Sequence, residues 1–597
     1  MKKTSEQVMT FPANDTDKPG CRMVAEALMA YGVKHVVVSP GSRNAPLIMA
    51  VVRRDMQVHP VIDERSAAFV ALGMATALAE PVALICTSGT ALLNYAPAVA
   101  EAFYRHVPLI VVSADRPEAW IDQNDSQTIR QPGALANIVR SMATVRGEMS
   151  DADERWMANR KLNDILTAAL TAPRGPVHIN VPLSMPLTNV TASAPEPLFR
   201  KIGVLAPDGR LATDEARRLA ALCSGRRVLV VAAQSAPDSR INGAMAALAA
   251  LPGVAVIAEP LSNVRVRGVM GECDALFSAP LSDEEVERLN PDILIAFGGA
   301  PVSAALKQFV RRLHPAEGWY VGRTDAAIDT YRSLTMRVEI EPPLFFPRFS
   351  ASMRYLGSKA AKVEGGESYA DLWRRFAAMR LQPLGKLADR LTAEGCWCAP
   401  LAVREIIDGM RGRAAGINLQ LGNGMSVRYA QAFGAEAFHR VDGNRGVSGI
   451  DGSVSTAVGA SAVSSLPTLL IVGDMSMQYD LGALASTLIG GRLSMVVLNN
   501  GGGGIFHFVK TTRSLLERDD YFTGNVRLPL REIAGAYGFR YMRADSFDSL
   551  AEGVRELCRP EQAEGAPLIL EVVTDGSADA AVFSQLIGSE SFADTKS

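Results

Sequence analysis

The sequence predicts an α/β protein made of three doubly wound parallel-sheet domains, and three observations carry that reading. Short apolar, β-branched runs alternate with Ala-rich stretches of helical character, the pattern of strand–helix–strand units. Most of the runs in the first and last thirds stop at a cluster of polar residues. That places chemistry at the carboxyl ends of strands, the rim where open α/β sheets bind ligands. Two interruptions, residues 187–197 and 356–400, divide the chain into an expected first domain (1–190), a central domain (200–355) and a last domain (395–597).

In the first domain, a strand over 35–39 runs into Pro40-Gly41-Ser42-Arg43 and a helix from about Ala45. A strand over 58–62 ends at Asp63-Glu64-Arg65, followed by an Ala-rich helix to about Ala79. The run 82–86 ends at Thr87-Ser88-Gly89-Thr90, and the run 109–112 at Ala114-Asp115-Arg116-Pro117. The segment LTNVTASAPEP reads as a linker. Central strands follow at 227–232, 254–258 and 293–297, and the unit closes near 339–343. Their ends are poorer in charged and amide groups. Residues 356–400 read as helical and linker-like. The third unit opens near Ile417 and runs to 570–573 and beyond, with no fixed-period repeat.

Composition excludes several classes of function. A formal net charge of −2 over 597 residues argues against nucleic acid as the main partner. No apolar run is long enough to span a bilayer, and the N-terminus MKKTSEQVMTFPANDTDK lacks the apolar centre of a signal peptide. The seven cysteines are scattered, and only Cys396-Trp397-Cys398 is close-spaced, so a reduced, cytoplasmic protein is the simplest reading.

The most informative stretch is 469–506, read as strand, acidic turn, helix, strand and Asn-Asn-Gly turn. Asp474 offers a carboxylate and Asn500 an amide oxygen at two neighbouring strand ends. The glycines after Asn500 let a backbone carbonyl turn inward. Three such oxygens suit a hard divalent cation. The same residues also suit an ordinary βαβ unit with Asp as a helix cap and Asn-Gly as a turn. Glu64 likewise reads either as a functional carboxylate or as a helix-start acid favoured by the macrodipole.

This stretch resembles the "GDG…NN" motif of thiamine diphosphate enzymes, with Met475 in place of the final glycine. The resemblance implies that Asp474, Asn500 and the carbonyl of Gly502 hold Mg²⁺, or Mn²⁺ in its place, on the diphosphate of thiamine diphosphate. It also implies that Glu64 hydrogen-bonds N1′ of the aminopyrimidine. That favours the imino tautomer, whose nitrogen takes the proton from the thiazolium C2. Glu64 would reach a cofactor bound by the last domain of a partner chain. The functional unit is then a homodimer or homotetramer with active sites at the subunit interface.

Further stretches narrow the resemblance: 39–43, 63–65, 87–90, 114–117, 127–133 and Asn444-Arg445-Gly446-Val447-Ser448-Gly449-Ile450-Asp451-Gly452. Together they resemble the MenD family of menaquinone biosynthesis. That family decarboxylates 2-oxoglutarate on thiamine diphosphate and adds the succinyl carbanion to isochorismate. Both substrates are polyanions, and guanidinium groups pair with carboxylates bidentately and stay charged. By resemblance, Arg428 and Arg445, with Asn423, face 2-oxoglutarate. Ser42, Arg43, Arg116, Ser126 and Gln127 face isochorismate. Ile505 and Phe506 form an apolar wall, and Ile450 bends the cofactor. Thr87, Gly89, Gly473, Met475 and Ser476 complete the cofactor site, Ile505 touching it too. Glu64, Arg43, Gln127, Arg428 and Arg445 are the expected catalytic set.

The chain departs from the family pattern in three places. Gly424 stands where a serine is common before the arginine, Ser126 where an asparagine is common, and Ala304-Ala305 where a Lys-Arg pair usually stands, with Lys307 nearby. The alternatives are another thiamine diphosphate 2-oxoacid decarboxylase or carboligase, or a non-catalytic cofactor-binding paralogue.

Overall fold

The computed structural model describes residues 14–192, 197–205, 209–356, 366–524, 528–559 and 565–588. Residues 1–13 and the centre of the 187–197 linker lie outside the described residues, and with them most of the segment on which the absence of a signal peptide was read.

Three parallel sheets carry the fold, as the alternating pattern predicts. The first, six-stranded, contains His35–Val38, Gln57–Pro60, Val82–Cys86, Leu109–Asp115, Ser141–Thr144 and Val177–Pro182. Counted along the chain, its spatial order is 2-1-3-4-6-5. The five-stranded central sheet contains Val228–Ala232, Val254–Ala258, Ile293–Phe297, Glu317–Val321 and Met336–Val338, in the order 2-1-3-4-5. The last, again six-stranded, contains Asn418–Leu421, Arg440–Asp442, Thr468–Gly473, Leu493–Asn499, Arg540–Ala544 and Leu568–Val573, and repeats the order 2-1-3-4-6-5.

The central strands are buried on both faces, which is why they read as continuous apolar runs: Val82–Cys86 and Leu493–Asn499 are buried at every residue. The edge strand Gln57–Pro60 is half-exposed, and there Pro60 removes no interior ladder bond.

The chain forms two compact units. One holds the first sheet, together with residues 455–464 and 482–488. In it the helix Glu64–Leu78 runs so close to 455–464 that a Cβ on Gly73 would lie 2.0 Å from the Thr456 carbonyl oxygen, and one on Gly459 1.9 Å from that of Val70. The other unit holds the central and last sheets. Here the helical reading of 356–400 holds and the linker-like one does not. Tyr369–Ala393 is a 25-residue helix, not a linker, and its fully buried Tyr369 and Trp373 pack with Phe277 and Phe309 in the core of the central sheet. Further along the helix Leu372, Ala377, Leu384 and Ala388 are buried as well.

Candidate active site

Both six-stranded sheets reverse their strand order between the first and third strands, and such a switch point opens a crevice outside the carboxyl ends. In the first unit the crevice lies between His35–Val38 and Val82–Cys86. Two predicted loops leave it side by side: a Cβ on Gly41 would lie 2.4 Å from the Thr87 Cβ, so only glycine permits that approach. Arg43 is buried and donates from Nη1 to the Leu183 carbonyl at 2.9 Å. Burial, followed by the nearby positive charge of Arg116, works against its protonated form. Arg116 reaches the Ser126 carbonyl at 2.9 Å and Asp125 at 3.1 Å. Gln127 adopts a left-handed backbone (φ 53°) and lays that backbone against Gly89. The rim thus gathers Arg43, Thr87, Gly89, Arg116, Ser126 and Gln127, with Ser42 exposed beside them. Two guanidinium groups at one rim, of which Arg116 is paired with Asp125, supply the positive charge that an anionic ligand needs.

Glu64 is half-buried in the first turn of its helix, where the macrodipole also favours a carboxylate, and the N-cap is its neighbour Asp63, whose side chain accepts from Ser66 N–H at 3.0 Å. Glu64 is therefore free of the capping role, and it lies close enough to Cys86 and Tyr95 for its charge to disfavour their ionisation.

Beneath this rim is a buried network that sequence reasoning passed over. Gln131 accepts from Gly89 N–H at 2.8 Å and donates to Asn180 Oδ1 at 2.8 Å, the Ala114 carbonyl at 3.1 Å and Ser113 Oγ at 3.2 Å. Asn180 donates to Asp115 at 2.8 Å, and Asp115 accepts from Arg116 N–H at 2.8 Å. Gln131 and Asp115 lie inside two motif stretches, and that position was the available signal.

In the second unit the crevice lies between Asn418–Leu421 and Thr468–Gly473. Asp474 is buried at the start of helix Asp474–Tyr479. Its Oδ1 accepts from Met475 N–H at 2.7 Å, and its Oδ2 from Gly502 and Gly501 N–H at 2.8 and 2.9 Å. Burial still outweighs those donors and pushes its carboxyl up to about 6. A buried carboxylate so placed is relieved by a cation.

Asn500 donates from Nδ2 to Asp579 Oδ2 at 3.1 Å, which leaves its carbonyl oxygen as the atom to face outward. Asp579 is itself held by Thr574 Oγ at 2.8 Å and Ala399 N–H at 2.7 Å. Asp579 sits on Gly576–Leu586, with no motif to signal it. Gly502 has φ 141°, and its carbonyl accepts from Gly504 N–H at 2.9 Å, which occupies one of that oxygen's two lone pairs. Ser476 Oγ donates to the Ile450 carbonyl at 2.7 Å, joining two expected cofactor residues, and Gly473 has open space where a side chain would stand. Ile505 and Phe506 are half-buried on the short helix Ile505–Phe508, with Phe506 against Phe522.

Two arginines complete this rim. Arg445 is buried and donates to Asn423 Oδ1 at 2.8 Å. Asn423 in turn donates to the carbonyls of Asn444 and Gly449, both at 2.6 Å. Arg428, half-buried on helix Ser426–Ala432, donates to the Gly424 carbonyl, where φ is +92°. The Gly424 departure thus answers a backbone requirement, and Ser426 is buried at the helix start. Ala304 and Ala305 open helix Ala304–Val310, capped by Ser303. On that helix burial, and after it the charge of Arg445, works against protonation of Lys307, with Arg311 and Arg428 adding less and Glu259 opposing.

Comparison with known proteins agrees with this geometry. The family described as "Thiamine pyrophosphate enzyme, N-terminal TPP binding domain" matches residues 19–134, which span four strands of the first sheet, so the chain is of the thiamine diphosphate enzyme class. Proteins named 2-succinyl-5-enolpyruvyl-6-hydroxy-3-cyclohexene-1-carboxylate synthase align over nearly the whole chain. The one from Porphyromonas gingivalis is 40% identical over 540 residues, 90% of this chain and 91% of the relative. That from Desulfotalea psychrophila is 35% identical over 558 residues, 92% and 97%. That from Bacteroides fragilis is 33% identical over 578 residues, 95% and 98%. The chain belongs to this synthase family, as the resemblance implied.

Proposed function

We propose that the protein joins 2-oxoglutarate, after its decarboxylation, to isochorismate, forming 2-succinyl-5-enolpyruvyl-6-hydroxy-3-cyclohexene-1-carboxylate for menaquinone synthesis. The observation that carries this reading is the rim of the last sheet. There two guanidinium groups, Arg428 and Arg445, follow the carboxyl ends of two adjacent strands, beside the two strands whose ends carry the buried Asp474 carboxylate and the oriented Asn500 amide. That pairs a site for a dicarboxylate with a site for a hard cation.

In this reading the oxygens of Asp474, Asn500 and Gly502 take Mg²⁺ or Mn²⁺. The donor set fits: all three are oxygens, and one is a buried carboxylate that needs a counter-charge. Bound thiamine diphosphate supplies the electron sink for decarboxylation. Arg428 and Arg445 grip the carboxylates of 2-oxoglutarate and fix its orientation. Glu64 would face N1′ of the aminopyrimidine and supply the carboxylate that shares a proton there. Arg43, Arg116 and Gln127, on the first sheet, hold isochorismate, with Ser42 and Ser126 at the margin. Ile505 and Phe506 exclude water.

The three sheets serve as pyrimidine-binding (1–190), central (200–355) and diphosphate-binding (395–597) domains. The active form is a dimer or tetramer that pairs the first domain of one chain with the last of another. Cytoplasmic residence is supported by seven free cysteines; among the described residues no helix is long and apolar enough to cross a membrane. The test is consumption of isochorismate by the purified protein. It should require 2-oxoglutarate, thiamine diphosphate and Mg²⁺ together. Decarboxylation of 2-oxoglutarate with isochorismate left untouched would favour a plain decarboxylase instead.

A further inference from the structure

The rim of the central sheet carries few charged groups, and Ala304-Ala305 leaves it without the cationic pair usual in the family. Its contacts to the last sheet, inside the same compact unit, are nevertheless specific. Arg440–Asp442 is an edge strand, paired only with Asn418–Leu421. Val441 turns its N–H and C=O away from that partner, and an edge so exposed needs covering. One side chain covers both groups. Asn263 Oδ1 accepts from Val441 N–H at 2.9 Å, and Asn263 Nδ2 donates to the Val441 carbonyl at 3.0 Å.

Asn263 is 3% exposed and sits at φ 56°, a left-handed conformation that Asn tolerates better than most residues. Its amide is further fixed by the Ser235 carbonyl at 2.8 Å. Two residues along the edge strand, the Gly443 carbonyl accepts from Gln234 Nε2 at 2.8 Å. Two residues further on stands Arg445, whose guanidinium meets Asn423.

We propose that Asn263 is a positioning residue for Arg445: the central domain contributes to the 2-oxoglutarate half-site by holding the backbone that aims this guanidinium. The proposal rests on the assignment of Arg445 to that substrate. A second contact repeats the arrangement for Arg428. The fully buried Glu259 accepts from Val302 and Ser303 N–H, both at 2.8 Å, and from Gln431 Nε2 at 3.0 Å, three residues along the helix from Arg428.

The test is a double-mutant cycle in the full-length protein loaded with thiamine diphosphate and Mg²⁺. Asn263→Gly keeps the backbone conformation and removes both bonds to Val441, together with the amide's bonds to the Ser235 carbonyl and Arg265. It should raise KM for 2-oxoglutarate about five- to tenfold, the worth of one or two hydrogen bonds. KM for isochorismate and the dissociation constant for thiamine diphosphate should not move. In an Arg445→Ala background the same change should add nothing, because the group it aims is gone.

An unchanged KM for 2-oxoglutarate in Asn263→Gly, or losses that add fully in the double variant, overturns the proposal. Arg445→Ala with normal KM for 2-oxoglutarate would instead refute the substrate assignment beneath it, a distinguishable failure. Should Asn263→Gly not fold, Gln234→Ala is read in the same way through Gly443: a raised KM for 2-oxoglutarate alone supports the proposal, and an unchanged one overturns it.

Discussion

Replacing Gln131 by methionine, nearly its equal in volume, tests how the first rim is held. Gln131 has no exposed surface and makes four hydrogen bonds, two of them at 2.8 Å. Methionine fills the space but strands the buried Gly89 N–H and deprives Ala114, Ser113 and Asn180 of a donor. A net hydrogen bond contributes about 1 kcal/mol and a stranded buried polar group costs about 1–3 kcal/mol, so the loss should be about 2–4 kcal/mol. For a unit of this size that corresponds to a fall in apparent Tm of roughly 5–12 °C. Because the stranded group is the backbone of the Thr87–Thr90 loop, affinity for thiamine diphosphate should fall as well, on the order of tenfold. Differential scanning calorimetry without cofactor and isothermal titration with it measure the two effects separately. A Tm within about 1 °C of the parent would refute the idea that Gln131 anchors this loop.

The other expectations follow from the same two rims. Glu64→Gln should keep the fold and the cofactor but lose about 10²–10⁴-fold in kcat, the usual contribution of a general acid–base group; a near-normal kcat would remove Glu64 from that role. Asp474→Ala should abolish Mg²⁺-dependent retention of thiamine diphosphate, and Asn500→Ala should weaken it less, as a neutral amide is the weaker ligand; calorimetry giving unchanged affinities would contradict the ligand assignment. His178 is fully buried against Ser113, and burial holds its imidazole down at about 4. A histidine whose folded pKa is depressed contributes stability that is intact above about pH 6.5 and declines as pH falls towards 4. Between pH 7 and pH 5 the cofactor-free protein should lose about 2 kcal/mol through this residue, a loss that His178→Gln should remove in denaturant titrations at the two pH values.

Much of this was legible in the sequence, because a strand buried on both faces must be apolar throughout and must stop where it meets solvent. That contrast marked the ends at Ser39, Cys86, Gly473 and Asn499, and with them the loops around both switch points. What stayed hidden depends on partners far apart in the chain. Asp579 orients Asn500 across 79 residues, and Asn263 covers Val441 across 178. Neither bond leaves a local pattern, since any Asn or Asp at a turn looks alike. Tyr369–Ala393 was read correctly as helical but also as linker-like, because charged residues are interleaved with the apolar ones it buries, among them Leu372, Trp373 and Leu384.

The claim at the centre of this account is that the two substrates are held by different arginines on different sheets. It is tested by single-turnover release of CO₂ from 2-oxoglutarate, with isochorismate absent, in Arg428→Ala, Arg445→Ala, Arg43→Ala and Arg116→Ala. A charge-assisted hydrogen bond contributes roughly 1.5–3 kcal/mol, so Arg428→Ala and Arg445→Ala should slow release on the order of ten- to a hundredfold. Arg43→Ala and Arg116→Ala should leave it near the parent rate and impair only the consumption of isochorismate. If Arg43→Ala slows CO₂ release as much as Arg428→Ala does, the arginines form one shared anion pocket and the division between the two rims is wrong.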